Sequence, residues 1–149
     1  MKRTDRLDNI VIRRARIGDD AALVRLLSEL GYRCSQGFAR SKIRQLSGKA
    51  SDRIFVAVEK QVVTAFISCH ILPMVHQRGF LCRVTAICVL PEWRARGIGK
   101  LLMETVEDFA RSRDCAKIEI TSGKHRKIAH EFYRRAGYHT ASARFVKEL

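Results

Sequence analysis

The most constraining feature of this sequence is an apolar segment that leads through a proline turn and a basic, glycine-spaced loop into a helix. The apolar segment ends at Leu90, the turn begins at Pro91, and the loop contains Gly97 and Gly99. Side chains then recur on one face at the period of an α-helix, at Ile98, Leu101, Leu102, Thr105, Val106, Phe109 and Ala110. The two glycines are therefore predicted to lie at the N-terminus of a helix that follows a strand.

Such a helix start is chemically suited to bind an anion. The first backbone N–H groups of a helix have no acceptor within it, and the helix dipole adds partial positive charge there. Gly97 and Gly99 allow an anion to approach the backbone closely, while Arg94 and Arg96 add full positive charges. The sequence therefore predicts a phosphate or pyrophosphate site, with an ordinary strand-to-helix turn that carries surface arginines as the alternative.

Two common phosphate-binding loops do not fit this segment. A Walker loop requires glycine at the position of Arg94 and serine or threonine at the position of Leu101. A dinucleotide-binding fingerprint requires a small residue at the position of Leu102. The predicted site therefore belongs to another class of phosphate loop.

The rest of the chain predicts strands and helices in turn. Strands are expected at residues 9–16, 53–59, 61–72, 80–90 and 116–121. Helices are expected from an aspartate cap at Gly18-Asp19-Asp20 to Gly31, over residues 35–46, from Ile98 onward, and around Ile128, Ala129, Phe132, Tyr133 and Ala136. The last segment, residues 138–146, is expected to form a hairpin or a pair of strands.

The order of these elements predicts the fold class. The strand, long helix and strand between residues 80 and 121 form a βαβ unit, in which the two strands are parallel and the crossover is right-handed. The short polar turn at residues 59–61 predicts an antiparallel hairpin. The expected fold is α/β: a single domain over residues 1–149, with a mixed, largely antiparallel sheet, one parallel βαβ crossover and about four helices.

Composition limits the functions open to the chain. No apolar run is long enough to cross a membrane, and the basic N-terminus with Asp5 and Asp8 lacks a targeting pattern, so the expected location is the cytoplasm. The five cysteines are odd in number and form no C-x-x-C pair, which predicts free thiols and no metal site. The net charge of +14 favours anionic partners such as a polyphosphate cofactor, nucleic acid or anionic lipid, with an ordinary solvated surface as the alternative.

A second motif follows the predicted parallel strands: Arg126-x-x-Ala129-x-x-Phe132-Tyr133-x-x-x-Gly137-Tyr138. Its spacing places the first four named residues on one side of a helix. With the loop Arg94-x-x-Gly97-x-Gly99 before it, the chain resembles the GCN5-related N-acetyltransferases (GNAT family) over essentially its whole length. The usual form of this second motif has asparagine at the position of Arg126. The ending Arg144-Phe145-x-Lys147-x-Leu149 looks most like small-molecule members such as aminoalkylphosphonate acetyltransferases.

The resemblance implies acetyl-CoA as cosubstrate, bound in a cleft where the strands at 81–89 and 116–121 separate. The backbone of Ile87 and Val89 would pair with the pantetheine arm, and Arg126 would contribute to the cofactor site. The pyrophosphate would be held by backbone groups of the loop, at Arg94, Ala95, Arg96, Gly97, Ile98, Gly99 and Lys100. An amine would attack the thioester directly in a ternary complex. Tyr133 would protonate the departing CoA sulfur, which its ordinary pKa of about 10 allows.

The general base is where the sequence departs from the family pattern. Many relatives carry glutamate near the position of Thr85, and this segment contains no carboxylate. The amine would lose its proton through water, to His76 or to His70, or would arrive neutral. Glu29 and Tyr32, at the end of the first helix, are candidates for the acceptor pocket. The resemblance leaves a homodimer open.

Two functions compete at this stage. The favoured one is an acetyl-CoA-dependent transfer of acetyl to a primary amine. The alternative is a basic nucleic-acid- or ribosome-associated protein that keeps the fold with little or no turnover, which the +14 charge and the missing base carboxylate suggest. The phosphate loop together with Tyr133 favours the enzyme, because a binding module needs no proton donor.

Overall fold

The computed structural model describes residues 7–149. Within them, five strands form one sheet in the order β1-β2-β3-β4-β5. The strands are β1 (Ile10–Arg14), β2 (Asp52–Glu59), β3 (Val62–Pro73), β4 (Phe80–Val89) and β5 (Cys115–Ile120). The helices are α1 (Asp20–Glu29), α2 (Gln36–Ser47), α3 (Ile98–Ser112) and α4 (Lys127–Arg135). Strands β1 to β4 are antiparallel and β4 is parallel to β5, which confirms the mixed sheet and the βαβ unit.

Helices cover both faces of the sheet, and each face has its own apolar core. Helix α3 packs on one face, where Ile98, Leu102, Met103, Val106 and Ala110 are buried against Ala57, Ala65, Ile67, Cys82 and Val84. Helices α1 and α2 pack on the other, where Leu23, Leu26, Ala39 and Ile43 are buried against Ile54, Val56, Phe66, Cys88 and Leu90. The alternation of side chains along each strand supplies both cores at once.

Helix α3 follows the predicted stripe with one addition. Met103 is buried, although it stands next to the stripe that the sequence indicates. A helix that packs against a wide sheet buries a broader apolar band than a two-residue seam, so the neighbouring position is also covered.

Two β-bulges change the register of the sheet. In the β2–β3 pair, Ala57 faces Ala65 and Val58 faces Val63, so Thr64 is an extra residue in β3. Its buried hydroxyl donates to the Ala57 carbonyl at 3.2 Å. In the β3–β4 pair, Cys69 faces Val84 and Ser68 faces Ala86, so Thr85 is an extra residue in β4. A bulge bends its strand and increases the local twist.

Two local predictions are wrong. Residues 139–149 contain no helix or strand, and Phe145 and Leu149 are fully exposed, so the predicted C-terminal hairpin is absent from this structure. Strand propensity decides little without a packed partner. Asp19 does not cap α1 with its side chain; it pairs with Arg13 instead, at 2.7 and 2.9 Å. Ile128, one of the residues that mark α4 in the sequence, lies on the outer side of that helix and is 86% exposed.

Candidate functional site

The second half of β4 has an open edge. Its pairing with β5 ends at Val84 and Ile120, directly before the bulge at Thr85. Leu90 donates its backbone N–H to the Thr64 carbonyl of β3 at 2.9 Å. Backbone groups alternate in direction along a strand, so those of Val89 and Ile87 point away from β3, toward the open edge. An extended ligand can therefore add to β4 as a strand would.

The phosphate loop follows this edge directly. Ala95 and Gly97 have positive φ values of 59° and 86°, which bend the chain sharply before α3. Gly97 is the N-cap residue, and no side chain caps the helix there. The first intrahelical bond runs from Leu101 N to Gly97 O at 3.2 Å, so the N–H groups of Ile98, Gly99 and Lys100 precede it. They are donors available to an anion.

The two arginines of the loop are held in defined positions. The Nε of Arg94 donates to the Val89 carbonyl at 2.9 Å, so this side chain folds back on the open edge. The Arg96 guanidinium lies 4.6 Å from the ring centroid of Trp93, and its NH2 donates to the Glu92 carbonyl at 3.1 Å. Both cations are therefore placed before any ligand binds. The Lys100 ammonium extends into solvent beside Glu104 at 3.8 Å.

Gly99 has a packing role in addition to its place in the loop. A Cβ at this position would lie 3.3 Å from the tip of the Phe132 ring. Because that distance is tighter than nearly all such contacts, α4 approaches α3 closely only where the side chain is missing. The sequence indicates the anion role of this glycine; its contact with α4 becomes visible only in the structure.

Helix α4 carries the predicted proton donor. The Tyr133 ring is half-buried and makes edge-on contacts with Phe132 and Tyr138, with centroids 5.5 and 6.4 Å apart. Burial raises the pKa of the Tyr133 phenol above its usual value, and the positive charge of Arg126 partly offsets this rise. The phenol therefore keeps its proton at neutral pH. Within residues 7–149 its hydroxyl donates to no side chain or carbonyl.

Arg126 lies at the N-cap of α4 and makes no capping bond with its side chain. Burial raises the pKa of the Cys88 thiol on β4, and Arg94 and Arg126 both counteract that rise. The charge of Arg126 thus acts on β4 and on Tyr133 together. The outer side of α4 forms a shallow basic depression of about 450 Å³ lined by Lys124, Lys127, Ile128, His130, Glu131 and Arg134.

The two candidates for the acceptor pocket, Glu29 and Tyr32, differ in their surroundings. Glu29 lies near the open edge of β4, whereas Tyr32 is exposed to solvent. The carboxylate of Glu29 is 3.8 Å from Arg94, which bonds to Val89. Tyr32 is 66% exposed. His76 is exposed in the loop between β3 and β4, whereas His70 is half-buried on β3.

Sequence reasoning missed one arrangement altogether. The Nδ1 of His70 lies 3.0 Å from Oδ1 of Asp52, and its Nε2 lies 2.9 Å from the hydroxyl of Thr85. These residues belong to β2, β3 and β4, so no local spacing links them. A two-residue hairpin turn with regular pairing would have placed Asp52 opposite Cys69, and the bulge at Thr64 shifts it to His70.

Within residues 7–149, no helix is both long and apolar enough to cross a membrane. Over the same range, no three His, Cys, Asp or Glu side chains gather as a metal site requires. The five cysteines, Cys34, Cys69, Cys82, Cys88 and Cys115, are free thiols.

The fold and this loop identify the class of protein. The chain belongs to the acetyltransferase (GNAT) family, because residues 22–138 match the model of that family. It is 31% identical over 94 residues to an aminoalkylphosphonate N-acetyltransferase from Salmonella typhimurium. That match covers 63% of this chain and 61% of the relative, so it spans about three fifths of the relative's length.

Solved structures agree on the fold. A transcriptional regulator from Bacillus halodurans C-125 superimposes with a TM-score of 0.87 at 18% identity, over 94% of this chain and 99% of that one. An aminoglycoside N-acetyltransferase in complex with CoA has a TM-score of 0.83 at 16% identity, over 94% of each chain. At such identities the likeness concerns the fold alone.

Proposed function

We propose that this chain is an acetyl-CoA-dependent N-acetyltransferase that transfers acetyl to a primary amine by direct attack in a ternary complex. The observation that carries the proposal is the junction of the open edge of β4 with the uncapped N-terminus of α3. An extended, amide-containing arm fits the edge, and an anion fits the helix start that follows it. Acetyl-CoA combines both groups in one molecule.

Each part of the cofactor has a matching segment of the chain. The pantetheine arm pairs with the backbone of Ile87 and Val89. The pyrophosphate accepts hydrogen bonds from backbone groups between Arg94 and Lys100, with the Arg96 guanidinium beside it. Arg126, at the start of α4, contributes positive charge from the other side. The Nε of Arg94 already donates to the Val89 carbonyl, so an N–H of the arm would share this acceptor with Arg94 through its second lone pair.

Tyr133 is proposed to protonate the departing thiolate. Its phenol has an ordinary pKa of about 10, which burial raises further, so it is protonated at neutral pH. A hydroxyl that has no acceptor among residues 7–149 is free to point to a ligand atom. As the C–S bond breaks, negative charge develops on the CoA sulfur. A proton donor placed beside the sulfur neutralises that charge and lowers the barrier to departure.

The proposed acceptor is a small primary amine. The aminoalkylphosphonate acetyltransferase supports testing aminoalkylphosphonates first. A net charge of +14 would attract such an anionic substrate as well as the cofactor. Glu29, beside Arg94, is placed to meet the ammonium group of an acceptor that enters from the α1 side.

Residues 1–149 are proposed to act as one N-acetyltransferase domain in the cytoplasm. The free thiols fit a reducing compartment. The competing proposal, a nucleic-acid- or ribosome-associated protein without turnover, rests on the basic charge. The N-terminal part of that charge, at Lys2, Arg3 and Arg6, lies outside the described residues.

The first test is ligand-dependent stability. Acetyl-CoA and CoA should raise the melting temperature. A ligand concentration one hundred times the Kd should increase the free energy of unfolding by about 2.7 kcal/mol. AMP should stabilise far less, because it lacks the arm and the pyrophosphate. Equal stabilisation by any polyanion would point to non-specific charge binding instead.

The second test is thiol release with a panel of amines, beginning with aminoalkylphosphonates. Acetylation of one amine would establish the activity. An absence of release for all of them, together with salt-sensitive retention on DNA, would favour the competing proposal. Size-exclusion chromatography of the same sample would tell whether the chain forms a homodimer.

A further inference from the structure

A continuous chain of hydrogen bonds crosses three strands on the face that α1 and α2 cover only in part. It runs from the Asp52 carboxylate to His70 Nδ1 at 3.0 Å and from His70 Nε2 to the Thr85 hydroxyl at 2.9 Å. Asp52 and His70 are cross-strand neighbours, which fixes the first contact by the register of the sheet. The bulge places Thr85 within reach of the second ring nitrogen.

The chemistry of the partners assigns the proton positions. A carboxylate only accepts, so His70 Nδ1 carries the proton that Asp52 receives as a hydrogen bond. The Nε2 atom is then an acceptor, and the Thr85 hydroxyl donates to it. Solvent exposure increases from one end of this hydrogen-bonded series to the other: the side chains of Asp52 and His70 are 12% and 22% exposed, and Thr85 is exposed. The free lone pairs of the Thr85 oxygen therefore face outward.

Thr85 lies at the inner end of the open edge of β4, where pairing with β5 stops. The phosphate loop lies beyond the carboxyl end of β4, and the edge opens just after Val84. An arm that enters from the loop passes Val89, then Ile87, and reaches Thr85 after about 13 Å of strand. Pairing with β5 blocks further progress. The reacting end of a ligand in this groove therefore lies beside Thr85.

We propose that Asp52, His70 and Thr85 form the proton relay that deprotonates the acceptor amine. This inference rests on the proposed acetyltransferase function and selects His70 from the candidate bases that the sequence left open. The ammonium group of the acceptor gives a proton to the Thr85 oxygen while the Thr85 proton moves to His70 Nε2. Asp52 stabilises the imidazolium that results. Thr85 touches the substrate; His70 and Asp52 act through it.

The remaining steps balance without any further reactant. The neutral amine attacks the acetyl carbonyl, a C–N bond forms, and the C–S bond breaks as the thiolate takes the Tyr133 proton. The second proton of the nitrogen restores the Tyr133 phenol through water. His70 returns its proton to bulk solvent. Each turnover therefore converts an ammonium and a thioester into an amide and a thiol and releases one proton.

A second pair of charges lies beside the relay. Arg83 of β4 is directly opposite His70, and its guanidinium bonds to Glu119 of β5 at 2.8 Å. Glu119 also meets the Lys117 ammonium at 3.2 Å. Since Arg83 forms its ion pair with Glu119, it does not compete with His70 for the Asp52 carboxylate.

The same bonds would also arise if this cluster only linked three strands, so the test must separate catalysis from stability. The matched pair is Thr85→Val and Thr85→Ser. Valine keeps the shape and removes the hydroxyl, while serine keeps the hydroxyl. For a relay, Thr85→Val should lower kcat about 10²–10⁴-fold and Thr85→Ser should retain most activity. The Kd for acetyl-CoA should be unchanged in both.

His70→Gln should lower kcat to a similar degree, and Asp52→Asn should lower it because an amide holds the imidazole less well. His139→Gln, at an exposed residue after the end of α4, is the control that should leave turnover unchanged. An acceptor amine of low basicity, already neutral at the assay pH, should lose far less in His70→Gln than a strongly basic amine. A structural role would affect both amines alike.

The outcomes separate the two proposals. If the wild-type protein neither binds acetyl-CoA nor acetylates an amine, the proposed function fails and the relay falls with it. If the wild type turns over and Thr85→Val and His70→Gln do so equally well, the relay alone is wrong. If His70→Gln does not fold, the Thr85 pair decides, because that side chain is exposed.

Discussion

Helices α3 and α4 both follow a strand of the parallel pair and both border the proposed cofactor groove, yet they are anchored differently. Helix α3 buries five side chains: Ile98, Leu102, Met103, Val106 and Ala110. Helix α4 has no buried residue. The proposed phosphate-binding end is therefore fixed by the main core, whereas the helix that carries the proposed proton donor depends on a few contacts at its surface.

Those contacts are aromatic and polar. The Phe132 ring lies against Gly99 of α3, and the Tyr138 hydroxyl donates to Glu107 of α3 at 3.1 Å. Tyr133 lies between them in sequence and touches both rings. The two helices therefore differ in how they are held: α3, which carries the proposed anion site, is fixed in the core, and α4 is positioned against it by its aromatic side chains.

The largest effect is expected from Tyr133→Phe, which should lower turnover about 10²–10⁴-fold. Affinity for acetyl-CoA should stay nearly the same, because the hydroxyl acts only when the thiolate departs. The ring remains and its hydroxyl has no partner to lose within the described residues, so stability should change little. The check is kcat on the acetylated amine beside a calorimetric Kd. A parallel fall of binding and turnover would mean that Tyr133 shapes the groove.

The anchoring of the two helices is tested by Leu102→Ala and Ile128→Ala. Leu102 is fully buried, so its truncation should lower the free energy of unfolding by about 2–5 kcal/mol. Ile128 is 86% exposed, so its truncation should change that free energy by less than about 0.5 kcal/mol. Denaturant unfolding of both variants measures the difference. Similar losses would show that α4 contributes as much to the core as α3.

The phosphate site is tested by Gly99→Asp with Gly99→Ala as its steric control. Both variants place a Cβ against Phe132, and only the first adds a negative charge at the helix start. Gly99→Asp should weaken acetyl-CoA binding about 10–100-fold, which corresponds to about 1.4–2.7 kcal/mol, the range of one charged hydrogen bond. Gly99→Ala should bind much more tightly than Gly99→Asp. Equal losses would assign the effect to displacement of α4.

A smaller loss than that of Leu102→Ala is expected from Tyr138→Phe, which removes the bond to Glu107. The free energy of unfolding should fall by about 0.5–1.5 kcal/mol. Hydrogen exchange should increase at the amides of α4 while those in the middle of α3 stay protected, since only α4 depends on this bond. Faster exchange in both helices would contradict the separate anchoring.

Local patterns in the sequence are sufficient to predict the βαβ unit, the helix that begins at Ile98 and the loop before it. The period of apolar residues and the Pro and Gly positions report directly on local backbone geometry. They also indicate that Tyr133 lies on a helix with Phe132. They do not predict the state of residues 139–149, where the alternating Phe145-x-Lys147-x-Leu149 looks like a strand but makes no pair.

The site between the strands was decided only by tertiary structure. The bulge at Thr64 brings Asp52 opposite His70, and the bulge at Thr85 places its hydroxyl at the ring and coincides with the end of β5 pairing. The turn of Arg94 back to the Val89 carbonyl and the approach of Phe132 to Gly99 are likewise contacts between elements. Local sequence determines the period and ends of each element, because these depend on neighbouring residues. One inserted residue in a ladder changes which side chains meet across the sheet, because register depends on packing between strands distant in the chain.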